Sequence, residues 1–493
     1  MNLHPSQSLT LAIQNGVSPF TATLDSPLIT SAVSQNARTI ALTAGTQTGR
    51  ATLTVTDASG AAIQVPVRVA YDAAQVPAGM TLRVTGNPVD TPWLTLLVQK
   101  MLARQVQVQP GVSAQFGLFT LPSELGPGAS AAVPVAVHAA GGESYFDVDA
   151  VTTVTIQNVA ADPFAPLLLM YDDDPEKLAA DGVSYSGRVV RGTPARLYYY
   201  HQNSQDQRQL AVVLTSSTPA TVQLIDASAG PNPDVMSVGH AVTRDFLLQK
   251  PRNEGIVVDV GPSAPYVAQR FVMNPLDGAA GSIGIRVMSG DAVTVSVVAL
   301  PATATDRQLI AYLSQPRLPG DGHHRTGLFS LVNFAGDTLP YTAPGPDASV
   351  QYGAQTPPAV TDADDPAPSG RDYGEYGVLR WVNFVIDNPL DRPQVLYLYE
   401  RPMGGPVRSS FLVNQTLVQV GCARLAERYQ VGDAFTVAAH AKVLLPVLTM
   451  TDGGSNYPLE LGITAAAPQP TVPPISAPDG CFPKPEPTPT TSR

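Results

Sequence analysis

Along most of this chain, β-branched or aromatic side chains alternate with small polar ones. Ala51-Thr-Leu-Thr-Val-Thr, Val65-Pro-Val-Arg-Val-Ala, Thr153-Val-Thr-Ile-Gln and Val293-Thr-Val-Ser-Val-Val are examples. A period of two puts every second side chain on one side of an extended backbone, so each run predicts a strand with one buried face. Proline and glycine, 47 and 40 residues, interrupt the runs at turn spacing. Repeated over 493 residues, this pattern predicts several β-sandwiches in tandem.

Changes of texture divide the chain into five segments. Residues 1–72 hold short strands, with a hairpin turn at Asp57-Ala-Ser-Gly-Ala. The succession Gly49-Arg-Ala-Thr-Leu-Thr-Val-Thr-Asp-Ala-Ser-Gly, followed by one more alternating strand, resembles the closing strands of bacterial Ig-like domains. Over these roughly 70 residues the resemblance implies a spacer or adhesion module, and it brings no catalytic residues with it. In residues 73–160, Asp90 is a suitable N-cap, Pro92 sits in a first turn, and Trp93, Leu96, Leu97 and Met101 share a face. These predict a helix near 90–104, the one helix expected in the protein, within a small α+β unit.

Residues 163–303 and 304–466 predict two β-sandwiches, the second a diverged duplicate of the first. Asn203-x-x-Asp206-x-x-Gln209 and Asn388-x-x-Asp391-x-x-Gln394 each follow an aromatic strand and lead into an apolar one, as equivalent corners would. Segments 283–297 and 443–461 look like matching terminal hairpins. The Pro-, Asp- and Gly-rich residues 335–373 predict a long loop, and the Pro-x-Pro spacing of 467–493 an extended tail. The expected fold class is mainly β: tandem β-sandwich (Ig-like or jelly-roll-like) domains with one small α+β unit.

Charge narrows the partners. Only 14% of residues are charged, the net charge is −11, and Lys/Arg clusters are missing, which argues against nucleic acid and anionic membrane surfaces. No apolar run approaches the roughly 18–20 residues of a transmembrane helix. Five Lys against 24 Arg read as a GC-rich, bacterial coding sequence. Low charge and abundant Thr, Val, Ala and Pro predict an extracellular or cell-envelope location, with a signal peptide removed. Cys422 and Cys481 predict a disulfide tying the Pro-rich tail to the last domain.

Candidate chemistry is sparse. Asp172, Asp173 and Asp174 form an acidic cluster able to attract a hard cation such as Ca²⁺, but without calcium-loop spacing. His323 and His324 are adjacent, and neighbouring strand residues face opposite ways, which makes a shared metal unfavourable. A second acidic group is Asp362, Asp364 and Asp365. Gly182-Val-Ser-Tyr-Ser-Gly misses the Gly-x-Ser-x-Gly spacing of a nucleophile elbow. Tyr198, Tyr199, Tyr200, Trp381 and Phe384 read as core aromatics before they read as a sugar platform.

The expectation is therefore no enzyme and no cofactor. The class that fits is a cell-surface structural or interaction protein (surface layer, filament or adhesin) that associates with itself or with other surface proteins. A carbohydrate-binding module is the alternative, and a hydrolase with Ig-like accessory domains the third reading.

Overall fold

The computed structural model describes residues 1–360, 370–469 and 481; Asp362, Asp364, Asp365 and most of the tail lie outside them. The chain divides into two compact units: Met1–Leu82 with Val89–Asn158, and Arg83–Pro88 with Val159–Arg493.

The first unit opens with a seven-stranded sandwich: β1 (Asn2–Leu3), β2 (Ser8–Ala12), β3 (Thr21–Leu24), β4 (Ile29–Ser34), β5 (Thr39–Ala44), β6 (Gly49–Thr56) and β7 (Ala62–Val69). One sheet runs β1-β7-β6-β3 and the other β2-β5-β4. The period-two pattern points Ile40, Leu42, Leu53, Val67 and Val69 into one core. The rest of the unit carries α1 (Thr91–Gln105) and a long hairpin of β8 (Ser130–Ala139) and β9 (Val148–Asn158). Asp90 occupies the N-cap position of α1, and Leu94, Val98 and Leu102 are its buried residues. The buried stripe is thus rotated from the expected face: Trp93 and Met101 are half-buried, and Leu96 is exposed.

The second unit holds two sandwiches. The first has β10 (Leu168–Asp172), β11 (Gly182–Val190), β12 (Ala195–Asn203), β13 (Arg208–Thr215), β14 (Ala220–Asn232), α2 (Val235–Arg252), β15 (Gly255–Val260), β16 (Tyr266–Met273), β17 (Gly278–Ser289), β18 (Ala292–Pro301), a short α3 (Asp306–Tyr312) and β19 (Thr326–Phe329). The second has β20 (Asn333–Thr342), β21 (Ala348–Tyr352), β22 (Leu379–Asp387), β23 (Gln394–Pro402), β24 (Val407–Val413), β25 (Thr416–Ala423), β26 (Tyr429–Gln430), β27 (Phe435–Val437), β28 (Lys442–Met450) and β29 (Leu459–Thr464).

Their topologies coincide. In the first sandwich one sheet is ordered β15-β14-β17-β12-β10-β19 and the other β11-β18-β13-β16. The second repeats this as β25-β24-β28-β22-β20 and β21-β29-β23, with β26 and β27 both pairing β23. In both, the first strand lies parallel to its neighbour, while the other pairs in these strand orders are antiparallel. Asn203 ends β12 and Asn388 directly follows β22, both fully buried. The Asn203 amide donates to the carbonyls of Gln205, Asp206 and Met273, and that of Asn388 to those of Arg392, Val437 and Ala438. The two N–H groups of one amide are thus shared among three carbonyls at each corner, where the chain leaves one sheet for the other.

Three expectations need correction. The region 335–373 is not one long loop, since β20 and β21 lie in it. Both are edge strands, where Pro340 loses no ladder bond and polar residues face water. Segments 283–297 and 443–461 do not form hairpins: in each pair, one strand belongs to one sheet and the next to the other. And α1 is not the only helix. α2 starts at Asp234, whose carboxylate accepts from the Ser237 N–H, and stops at Asn253 in the left-handed conformation (φ 56°). Its Val238, Val242, Phe246 and Leu247 join Tyr198, Tyr200, Leu412 and Met450 in a core between the two sandwiches. Gly239 permits this, because a Cβ there would lie 1.9 Å from the Gly453 carbonyl.

Candidate functional site

The acidic run begins at the end of β10, a strand alternating between two cores. Met170 faces the sandwich interior, and Leu169 and Tyr171 face α2 and the second sandwich. Asp172 meets Ser184 of β11 and His201 of β12, all three with no exposed surface. The Ser184 hydroxyl donates to Asp172 Oδ1 (2.8 Å), His201 Nε2 lies 3.0 Å from Asp172 Oδ2, and His201 Nδ1 donates to the Pro175 carbonyl (2.9 Å). With an acceptor at each ring nitrogen, the imidazole carries two protons. Burial lowers its pKa, but the Asp172 carboxylate, Asp173 and the Pro175 carbonyl more than offset this, and the net pKa is raised.

The group contains Ser, His and Asp without being a nucleophile relay. In a relay, serine and carboxylate occupy opposite ring nitrogens. Here both approach Nε2, the serine at 3.4 Å, and the serine's proton is already given to the carboxylate. The arrangement is a buried, hydrogen-bonded ion pair.

Beyond Asp172 the chain turns and meets the segment after α3. Asp174 Oδ1 accepts from the Asp321 N–H (2.6 Å), and Asp321 accepts from the N–H groups of Glu176 and His323. Arg325 reaches Glu176 (2.9 Å), Asp321 (2.8 Å) and, more distantly, Asp173 (3.5 Å). All five candidate ligands, Asp172, Asp173, Asp174, His323 and His324, therefore lie on two segments that meet at one corner. A guanidinium organises that corner, and among the described residues no three His, Cys, Asp or Glu side chains are disposed to hold a metal ion. Burial raises Asp173 well above the usual carboxylate range, partly offset by Arg325. Asp321 is held down at about 2: burial opposes this, and the His323 and Glu176 N–H groups and Arg325 overcome it.

Sequence reasoning missed the larger feature to which this corner belongs. Ring contacts link Tyr198 to Tyr171 (6.1 Å), Tyr171 to Tyr376 (6.4 Å), Tyr376 to Tyr457 (5.8 Å) and Tyr457 to Tyr352 (5.8 Å), from the first sandwich into the second. Arg196 is fully buried nearby, 4.9 Å from the Phe246 ring, with Nη1 on Met450 Sδ (3.3 Å) and its pKa lowered by burial to about 9. His240 of α2 bonds Asp452 (2.9 Å) and Gln419 (3.0 Å). Inside the second sandwich, Glu400 is fully buried with neither carboxyl oxygen hydrogen-bonded, and its pKa is pushed up to about 8. Burial dominates that shift, the neighbouring Ser409 hydroxyl offsets part of it, and Asp452 adds to it. The aromatic platform splits: Tyr198, Tyr199 and Phe384 are core, Tyr200 is nearly so, and Trp381 is 37% exposed. The structure joins Cys422, on edge strand β25, to Cys481 as a disulfide.

No protein-family model matches the sequence, and no curated protein matches it either. Similar solved structures include the human desmocollin-1 ectodomain (8% identity, 38% of this chain and 46% of that one, TM-score 0.14). Tripeptidyl peptidase 2 is another (8% identity, 95% and 33%, TM-score 0.15). A third is SGBP-B of the Bacteroides ovatus mixed-linkage glucan utilization locus, in complex with a mixed-linkage heptasaccharide (12% identity, 59% and 70%, TM-score 0.13). The chain spans less than half the length of the first two. TM-scores this low carry no argument, and the β-sandwich assignment rests on the strand pairing above. No helix among the described residues is long and apolar enough to cross a membrane.

Proposed function

We propose that this chain is a non-enzymatic, exported bacterial surface protein that works by interaction, as a surface-layer or filament subunit or an adhesin, and associates with itself or with its surface neighbours. The supporting observation is that a group of reactive side chains, Asp172, Asp173, Ser184 and His201, is buried and paired internally, with the partly exposed Arg325 beside it. A catalytic acid, base or nucleophile must reach its substrate; these groups hold strands and turns together. The test is sedimentation and electron microscopy of the purified protein. Ordered assemblies are expected, and a strict monomer at high concentration, with or without calcium, would overturn this reading.

A carbohydrate-binding role is the second reading, favoured by Trp381. It stands half-exposed on the outer face of β22, two and four residues from Asn383 and Val385, with Leu444 of β28 paired opposite Val385. Retention on a glycan array that is lost in Trp381→Ala, without assembly, would select that reading. Turnover abolished by changing one carboxylate would select a hydrolase instead.

A further inference from the structure

One charge in the core between the two sandwiches of the second unit has no counterpart. Arg196 lies on the face of β12 turned to α2 and the second sandwich, and none of its surface is exposed. Its Nη1 meets only the Met450 thioether (3.3 Å), its guanidinium carbon lies 4.9 Å from the Phe246 ring, and Nε and Nη2 have no hydrogen-bond partner. Those two nitrogens form the edge with which a guanidinium grips a carboxylate through two parallel bonds. Here the edge meets none: among the described residues Arg196 is in no ion pair. The acid that acts on it from a distance is Asp372, itself fully buried, whose Oδ1 accepts the Tyr376 N–H (2.7 Å). Burial raises Asp372 well above the usual carboxylate range, so it offers little countercharge. Lys250, four residues beyond Phe246 on α2, adds a like charge, while a pKa of about 9 leaves Arg196 itself charged at neutral pH.

The rest of the seam is made differently. Towards the start of α2, Arg408 of β24 bonds Asp234 (3.1 Å) and Ser237, and His240 bonds Asp452 (2.9 Å) and Gln419 (3.0 Å). Met236 packs there on the Cys422–Cys481 disulfide. The first half of the helix is thus pinned to the second sandwich by polar bonds. Its second half, around Phe246, meets that sandwich over an unpaired ion. A buried charge without a partner opposes the contact that buries it, because water would solvate it as soon as the surfaces part.

We propose that the contact between the two sandwiches is a hinged latch, which pivots on the first half of α2 and opens at Arg196 while both sandwiches stay folded. Opening gives Nε and Nη2 to water and bares Tyr198, Leu448 and Met450, an aromatic and apolar surface hidden in the closed form. The latch does not depend on the interaction reading above.

The experiment is alkylation of introduced thiols by iodoacetamide, on the full chain under native conditions and without reductant. Leu448→Cys, on the outer face of β28, reports the seam, and Leu461→Cys, in the interior of the second sandwich, reports global unfolding. The seam thiol should label about tenfold faster or more. Arg196→Met, which keeps an apolar shape and removes the ion, should slow that labelling about tenfold, towards the rate of the interior thiol. Met450→Glu, which sets a carboxylate where the thioether meets Nη1, should slow it as well and covers the case in which Arg196→Met fails to fold. Equal labelling of the two thiols without either change overturns the proposal. So does seam labelling that is unchanged or faster in a variant whose β circular dichroism is intact.

Discussion

Glu400→Gln isolates a single buried proton. Glu400 sits fully buried on β23, its pKa raised from 4.5 to about 8 in the folded protein. Between those values the folded state keeps the proton and the unfolded chain releases it. Stability therefore falls as pH rises, by about 1.4 kcal/mol per unit. The accumulated cost is about 3 kcal/mol at pH 7 and approaches about 5 kcal/mol above pH 8. Glutamine keeps the shape and cannot ionise. Whatever constant offset its amide brings, the variant should gain on the wild type steadily from pH 5 to pH 8. Guanidinium unfolding at half-unit pH steps measures this, with Trp381 as reporter in a Trp93→Phe background so that only the second sandwich is followed. Parallel curves, with a gap that does not widen with pH, would refute the reasoning and place Glu400 in contact with a group that stabilises its charge.

Other outcomes follow from the same structure. His201 has a raised folded pKa, so its ion pair contributes fully below about pH 6.5 and is lost as pH rises through the folded value. Asp172→Asn should accordingly cost about 3–5 kcal/mol at pH 6 and less at pH 9, read from denaturation midpoints. Gly239→Ala, which drives a methyl group to 1.9 Å from the Gly453 carbonyl, should destabilise by about 1–3 kcal/mol or more in thermal melts, while Ala at Gly126 has open space. Asn203→Ala and Asn388→Ala should each cost about 3 kcal/mol, since each strands buried carbonyls at an equivalent corner. Non-reducing peptide mapping should recover a Cys422–Cys481 linked peptide, and Cys481→Ser should lower stability by about 2–4 kcal/mol; two freely alkylated thiols in oxidised protein would contradict the bond.

Local rules were enough for much of this protein. Period-two alternation in residues 39–44 and 51–55 requires one buried face, and those strands line the N-terminal core. The Asn-x-x-Asp-x-x-Gln repeats mark two corners that occupy the same place in sheets sharing five strands in the same order. α2 was legible too: Asp234 and Ser237 as cap, apolar residues at 238, 242 and 246, and Asn253 as stop were present, but surrounding strand signals outweighed them. What the chain alone could not decide is which surfaces meet. Leu197-Tyr-Tyr-Tyr-His is apolar on both sides because one face of β12 packs inside its sandwich and the other against α2, a contact made by residues far apart in sequence. The acidic run is a weak cation candidate by sequence, and only the fold brings Arg325, some 150 residues on, to it. Burial of Arg196 and Glu400 is likewise invisible locally, since an ionisable side chain carries no mark of the neighbours that take its water away. Alternation fixes which way each side chain points; only tertiary packing fixes what it points at, and with it every pKa shift and paired charge that decides the chemistry left to the surface.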